Sequence, residues 1–279
     1  MYNMLYKANS RKEKYIIYME SEILSKLYKK YNIKELTYGR TGDKLGDVME
    51  DYVVDVLNEK ELLHAYLSGA PMSNYDQMSF KLIINKISDN SKSIKMIKAT
   101  RKVPSKDNGG MPKTDVIATI TYTDNSVNVC PISVKQTKAR KVAVAEYSVE
   151  SILEGARIND DVVRTLMYKF QRDASAKHFT KQEKIQLTEA LAPYRHQFVR
   201  WVLSGSAEET TDVRCPKYYI EFPMDSSHNA SLLHIKTIEE KVNGTIYDKN
   251  GKVKAAGFGT GLSWTYATGS KYSKIQYKA

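Results

Sequence analysis

Apolar positions along this chain keep two rhythms, one of three and four residues and one of two. From Glu20 to Tyr31, Ile23, Leu24, Leu27 and Tyr28 hold helical spacing, which predicts a short amphipathic helix. After a break at Gly39 to Gly42, Leu45, Val48, Met49, Tyr52, Val53, Val56 and Leu57 recur at the same interval and predict a longer one. Glu50 stands one step off that stripe, at its border. Gly69 to Asn74 is a turn-rich link, and Met78 to Ile87 predicts a further helix.

The rhythm then changes. Ser93 to Thr100, Thr114 to Thr123 and Val127 to Lys135 are rich in Ile, Val and Thr, and Asp124-Asn125-Ser126 makes a turn between the last two. They predict extended strands, two of them adjacent in one hairpin. A loop from Pro104 to Pro112 carries Lys106, Asp107 and Gly109-Gly110. Helical spacing returns at Ser148 to Gly155 and Asp160 to Ala174. Thr180 and Glu183 form a capping box that opens a helix running towards Leu203 and bent at Pro193. Strands resume at Tyr218 to Phe222 and Ser231 to Ile235. The organisation expected is a polar, tyrosine-rich arm over residues 1–18, ordering against a partner, and one domain over 19–279. No repeat with a period of ~20 to 50 residues is visible, which excludes a solenoid.

Composition narrows the function. With 279 residues, 42% of them apolar, the chain can bury a large core. No window approaches the ~18 uninterrupted apolar residues of a membrane span, and Met1 to Tyr15 lacks the pattern of a secretory signal. A cytoplasmic protein without membrane contact is expected. Cys130 and Cys215 stand outside any C-x-x-C spacing and are expected to be buried and reduced. His64, His178, His196, His228 and His234 are scattered, so no pair is spaced to aim at one metal ion. A net charge of +11 points to a polyanionic partner, with nucleic acid leading.

The chemistry concentrates in Pro112-Lys113-Thr114-Asp115 at the start of one strand and Ser133-Val134-Lys135 at the end of the next. Side chains alternate along a strand, so Ser133 and Lys135 share a side, and hairpin pairing can bring that side to Asp115. Phosphodiester hydrolysis needs this set: a carboxylate to hold Mg²⁺, which polarises the phosphate and acidifies a water, and an ammonium to offset developing charge. The pattern equally fits a hairpin with a turn aspartate and a solubilising lysine. Lys138, Arg140 and Lys141 follow and extend the positive charge. Glu50 fits either a metal-ligand role or an ordinary solvated helix position beside Asp47 and Asp51. The segment from Lys249 onward has six lysines, no acidic side chain, and aromatics among glycines, threonines and serines. Lys271, Lys274 and Lys278 suit phosphates or guanine edges and Gln276 a base, whereas Phe258 and Trp264 are expected as core anchors.

At these residues the chain resembles the MspI-like type II restriction endonucleases, a branch of the PD-(D/E)XK nucleases specific for CCGG. The resemblance runs from about Ile23 to the C-terminus. It is densest at Gly109–Asp115, Ala145–Ile152, Ser175–Trp201 and Gly257–Lys271. It implies an α/β fold: a mixed β-sheet flanked by helices, a restriction-endonuclease-like core over about 43–150, a helical region over about 148–204 and a DNA-recognition segment over about 249–279. It implies Mg²⁺-dependent cutting of both strands within CCGG, leaving 5′ overhangs, beside a cognate DNA cytosine methyltransferase in a bacterial restriction-modification system. Asp115 matches the family's metal-binding aspartate and Lys135 its catalytic lysine; metal ligands would be Asp115, the Val134 carbonyl and Glu50. Ser133 stands where the superfamily has Asp or Glu and this branch Asn, and a shorter hydroxyl holds a water less firmly. Thr265, Tyr266, Thr268, Ser270, Lys271, Gln276 and Lys278 fall where bases are read, with Lys138 and Lys141 towards phosphates. The competing readings are a catalytically impaired DNA-binding protein of the same fold and an RNA-binding or structural basic protein. Monomer and homodimer are both compatible with the sequence.

Overall fold

The computed structural model describes residues 21–33, 38–105, 111–137, 141–225 and 229–279. The expected arm, Lys106, Asp107 and the Gly109-Gly110 pair, and Lys138 and Arg140 lie outside the described residues. In chain order the elements are α1 (Glu22–Lys30), α2 (Tyr38–Asn58), α3 (Lys60–Leu67), α4 (Tyr75–Ile87), β1 (Ile94–Thr100), β2 (Val116–Tyr122), β3 (Val127–Thr137) and β4 (Ala143–Tyr147). They continue with α5 (Val149–Gly155), α6 (Asp161–Asp173), α7 (Lys181–Leu191), α8 (Arg195–Ser204), β5 (Tyr218–Pro223), β6 (His234–Thr237), α9 (Ile238–Ile246), β7 (Ser263–Thr265) and β8 (Ile275–Lys278).

Five strands form a mixed sheet in the order β1-β2-β3-β5-β6. The expected hairpin is β2–β3, antiparallel, turning at Asn125 with a positive φ of 62°. β3 pairs in parallel with β5, which puts Ser133 beside Tyr219 and Lys135 beside Glu221. β2 alternates buried and half-buried positions, with Val116, Ala118, Ile120 and Tyr122 inward. Against them lies the α2 stripe: Val48, Met49, Tyr52, Val53 and Val56 are fully buried and share a core with Ile132, Val134, Ile220 and Phe222. The helix runs from Tyr38 through the glycines where a break was expected, because its tertiary packing outweighs their weak helix propensity.

A second core gathers α5 to α9 with the small sheet β4-β8-β7. Phe198, Trp264 and Tyr277 stack there edge to face or tilted at 5.4–5.8 Å, and Phe258 joins Trp264 at 5.0 Å. Both expected anchors therefore pack in this core. The helix opened by Thr180 is broken at the expected place: α7 ends at Leu191, and a 3-10 turn over Ala192–Tyr194 carries Pro193 into α8. Helices α3 and α9 and strands β4, β7 and β8 were not among the sequence-based expectations. Cys130 and Cys215 are both buried, and neither forms a disulfide. Among the described residues, no helix is long and apolar enough to cross a membrane.

Candidate active site

The site forms where two strands part. The Asp115 N–H donates to the Ile132 carbonyl at 2.9 Å, while β3 runs on to Thr137 with no β2 partner beyond Ile132. Asp115 fills the opening with its side chain. Its Oδ2 accepts from the Val134 N–H at 2.7 Å, the Ser133 hydroxyl at 3.0 Å and the Lys135 ammonium at 2.8 Å. The convergence expected from strand alternation is present. Lys135 Nζ also donates to the Val134 carbonyl at 3.0 Å, so one cation bridges Asp115 and Val134. Ser133 is 1% exposed and directs its hydroxyl inward to Asp115.

Glu50 reaches the same place from α2. Burial first, and the neighbouring Asp115 charge second, push its carboxyl up to about 7. Arg101, at the end of β1, holds Glu50 at 2.6 Å and also binds Asp47 and Asp51 at 2.9 and 2.8 Å. These contacts fix the face of α2 that looks toward Asp115. Sequence reasoning did not identify Arg101, whose three partners lie about fifty residues upstream.

The donor set fits a hard divalent cation. All three hydrogen bonds to Asp115 fall on Oδ2, leaving Oδ1 without one among the described residues. The Asp115 charge raises the cost of ionising Glu50, and a cation would relieve that cost. The Lys135 ammonium already bridges two of the three expected ligands. Among the described residues no three acidic, His or Cys side chains gather into a cage.

The expected DNA-reading residues lie on the small sheet and the loop beyond it. Thr265 on β7 pairs with Gln276 on β8, and Gln276 pairs with Glu146 on β4. Lys278 sits between Ser263 and Ala143 on the same strand. Thr268 and Ser270 occupy a 3-10 turn. The Lys271 ammonium lies over the rings of Tyr266 and Tyr272, at 5.0 and 4.8 Å, and both rings are exposed. Lys141 donates to the Gly261 carbonyl at 2.8 Å, tying the start of β4 to the glycine-rich loop.

Lys113 couples the two regions. Its ammonium donates to the Val144 carbonyl on β4 at 2.7 Å, two residues before Asp115. Beside Lys135 the sheet face carries a second acid–base pair, Glu221 with Lys241 of α9 at 2.9 Å, largely buried. The parallel register brings Glu221 there across more than eighty residues of sequence, and no local pattern signals it.

The model of the family described as restriction endonuclease MspI matches residues 23–279. The chain is 36% identical over 264 residues to the type II restriction enzyme MspI of Moraxella sp, covering 93% of this chain and all of that one. It is 24% identical to the type II restriction enzyme BsuFI of Bacillus subtilis, over 92% of this chain and 64% of that one. The crystal structure of MspI in complex with its cognate DNA superposes with a TM-score of 0.81 at 34% identity, covering 94% of this chain and all of that chain. The mixed sheet with its flanking helices is thus the fold of that enzyme, and the chain belongs to the MspI restriction endonuclease family, the family of a type II site-specific endonuclease.

Proposed function

We propose that this chain cuts both strands of duplex DNA within CCGG, leaving 5′ overhangs, with Mg²⁺ as its cation and Asp115, Ser133 and Lys135 as its catalytic residues. The observation that carries the reading is the convergence of the Ser133 hydroxyl, the Val134 N–H and the Lys135 ammonium on one carboxylate oxygen of Asp115 at the fork between β2 and β3. Type II restriction endonucleases generally use a divalent cation; Asp115, the Val134 carbonyl and Glu50 would hold it here. When bound, it polarises the scissile phosphate and acidifies a water.

The remaining work belongs to the chain. The Val134 N–H and the Ser133 hydroxyl hold Asp115 Oδ2 from two directions, so the carboxylate meets the cation in one orientation. Lys135 places its positive charge against the phosphate as negative charge develops in the transition state. Arg101 keeps the Glu50 face of α2 at the site. Thr265, Tyr266, Thr268, Ser270, Lys271, Gln276 and Lys278 contact the bases and their flanks, while Lys138 and Lys141 meet phosphates. The protein works in the bacterial cytoplasm beside a cytosine methyltransferase that protects the host's own sites.

The test is Lys135→Ala. Removing one preorganised charge that acts mainly in the transition state is expected to slow cleavage by ~10² or more. Gel-shift affinity for a CCGG duplex should stay within a few-fold of wild type. Cutting at the wild-type rate defeats the assignment of Lys135. If the unaltered protein binds CCGG but never cuts it, the protein is instead a catalytically impaired DNA-binding member of the fold.

A further inference from the structure

Beneath the proposed catalytic edge lies a phenol with nothing to bond. Tyr219, on β5, is the cross-strand neighbour of Ser133. It is 1% exposed, and its hydroxyl is buried with no hydrogen-bond partner among the described residues. Buried hydroxyls are nearly always satisfied, so an orphan in this position calls for a partner in the working state.

Its surroundings define that partner. The charges that reach the hydroxyl are those of Glu221 and Asp115; together with burial, the largest effect, they keep its proton in place. The group is therefore a donor, on the strand beside Ser133, whose own hydroxyl is bound to Asp115. Lys241 lies over the ring at 4.9 Å and binds Glu221 at 2.9 Å, which pins both the ring and that carboxylate. A bridging water needs two to four polar partners. The Tyr219 hydroxyl, Asp115 and the Ser133 hydroxyl, which the β3–β5 pairing brings to one strand edge, would supply them.

Tyr277 sharpens the contrast. Its hydroxyl is also buried without a partner, yet only burial acts on it and no carboxylate reaches it. Both rings belong to the same core, but Tyr219 alone of the two is the cross-strand neighbour of Ser133.

Resting on the nuclease reading above, we propose that Tyr219 is a positioning residue: in the loaded site its hydroxyl donates through one buried water to Asp115. It adds to the hold that the Ser133 hydroxyl already has on Asp115 and stands in for a donor lost on loading. The need arises on loading. Lys135 now bridges Asp115 and the Val134 carbonyl, two expected cation ligands. A cation at those atoms repels the ammonium, and Asp115 loses one of its three donors.

The experiment compares Tyr219→Phe with wild type, with Tyr277→Phe reporting what loss of a buried hydroxyl alone does to stability. Thermal melting without divalent cation, gel-shift affinity for a CCGG duplex, Ca²⁺ affinity of the protein–DNA complex and single-turnover cleavage in Mg²⁺ are measured. Tyr219→Phe is expected to melt no lower than wild type, since it removes an unsatisfied group. Its DNA affinity should hold, while cleavage slows and Ca²⁺ binding weakens by ~10-fold or more. Cleavage and Ca²⁺ binding within twofold of wild type overturn the proposal. So does a melting temperature that falls, which makes the hydroxyl a prop of the fold. A wild-type protein that leaves the duplex intact defeats the nuclease reading and this inference with it; a wild type that cuts beside an equally fast Tyr219→Phe defeats the inference alone.

Discussion

At the scale of single residues, the site is a contest for one carboxylate. Asp115 is held on one oxygen by a backbone N–H, a serine and a lysine, and its charge acts on the buried Glu50 of α2. Glu50 therefore sets a pH dependence. Burial and Asp115 raise its carboxyl from 4.5 to about 7, so the folded protein keeps a proton there that the unfolded chain gives up earlier. The linked stability is present in full below 4.5 and is lost as pH rises through about 7. Denaturant midpoints of the cation-free protein should fall across that window, and Glu50→Gln should flatten that part of the curve. A protonated carboxyl cannot ligate, so Ca²⁺ affinity should rise ~10-fold between pH ~6 and ~8 in wild type and not in Glu50→Gln. Equal affinities at the two pH values would remove Glu50 from the ligand set.

At the scale of elements, two glycines on helices separate packing from propensity. A Cβ on Gly155, at the end of α5, would lie 2.1–2.3 Å from the indole atoms of Trp201, which also stacks with Tyr147 of β4 at 4.4 Å. Gly155→Ala is expected to destabilise by ~1–3 kcal/mol through overpacking. On α2, a Cβ on Gly46 meets nothing within 4 Å, so Gly46→Ala should stabilise by ~1 kcal/mol through helix propensity alone. Opposite shifts of the two denaturant midpoints check both. The same distinction explains what the sequence made legible. Helix α2 and strands β1 to β3 follow from periodicity because each buries one face of a long run. The eight-residue α3 and the five-residue β4 are too short for a period to stand out. Helix α9 opens on a Thr237–Glu240 capping box of the kind read at Thr180–Glu183, so a usable signal for it was present. The parallel β3–β5 register that brings Tyr219 and Glu221 to the site has no local signature, nor does the clasp of Arg101 on α2. Asp115 and Lys135 were legible because a hairpin of neighbouring strands joins them; the groups around them come from remote chain.

At the scale of the molecule, the large sheet stands between two cores, with β5 sending Ile220 and Phe222 into one and Tyr219 into the other. The proposed catalytic fork lies at one sheet, the proposed base-reading residues at the other, and Lys113 joins the two regions through Val144. A chain with net charge +11 should bind DNA with strong salt dependence; ~6 to 10 phosphate contacts would weaken binding by ~10³ to 10⁵ between 50 and 200 mM salt. Gln276→Ala should leave that slope unchanged while reducing preference for CCGG over a singly mismatched duplex by ~1–3 kcal/mol. Competition gel shifts across a salt series separate the two effects. The most direct measurement is digestion of a mapped plasmid in Mg²⁺, followed by sequencing of the ends. Breaks confined to CCGG, with 5′ extensions and none made by Lys135→Ala, are predicted; intact plasmid, or ends unrelated to CCGG, contradicts the account.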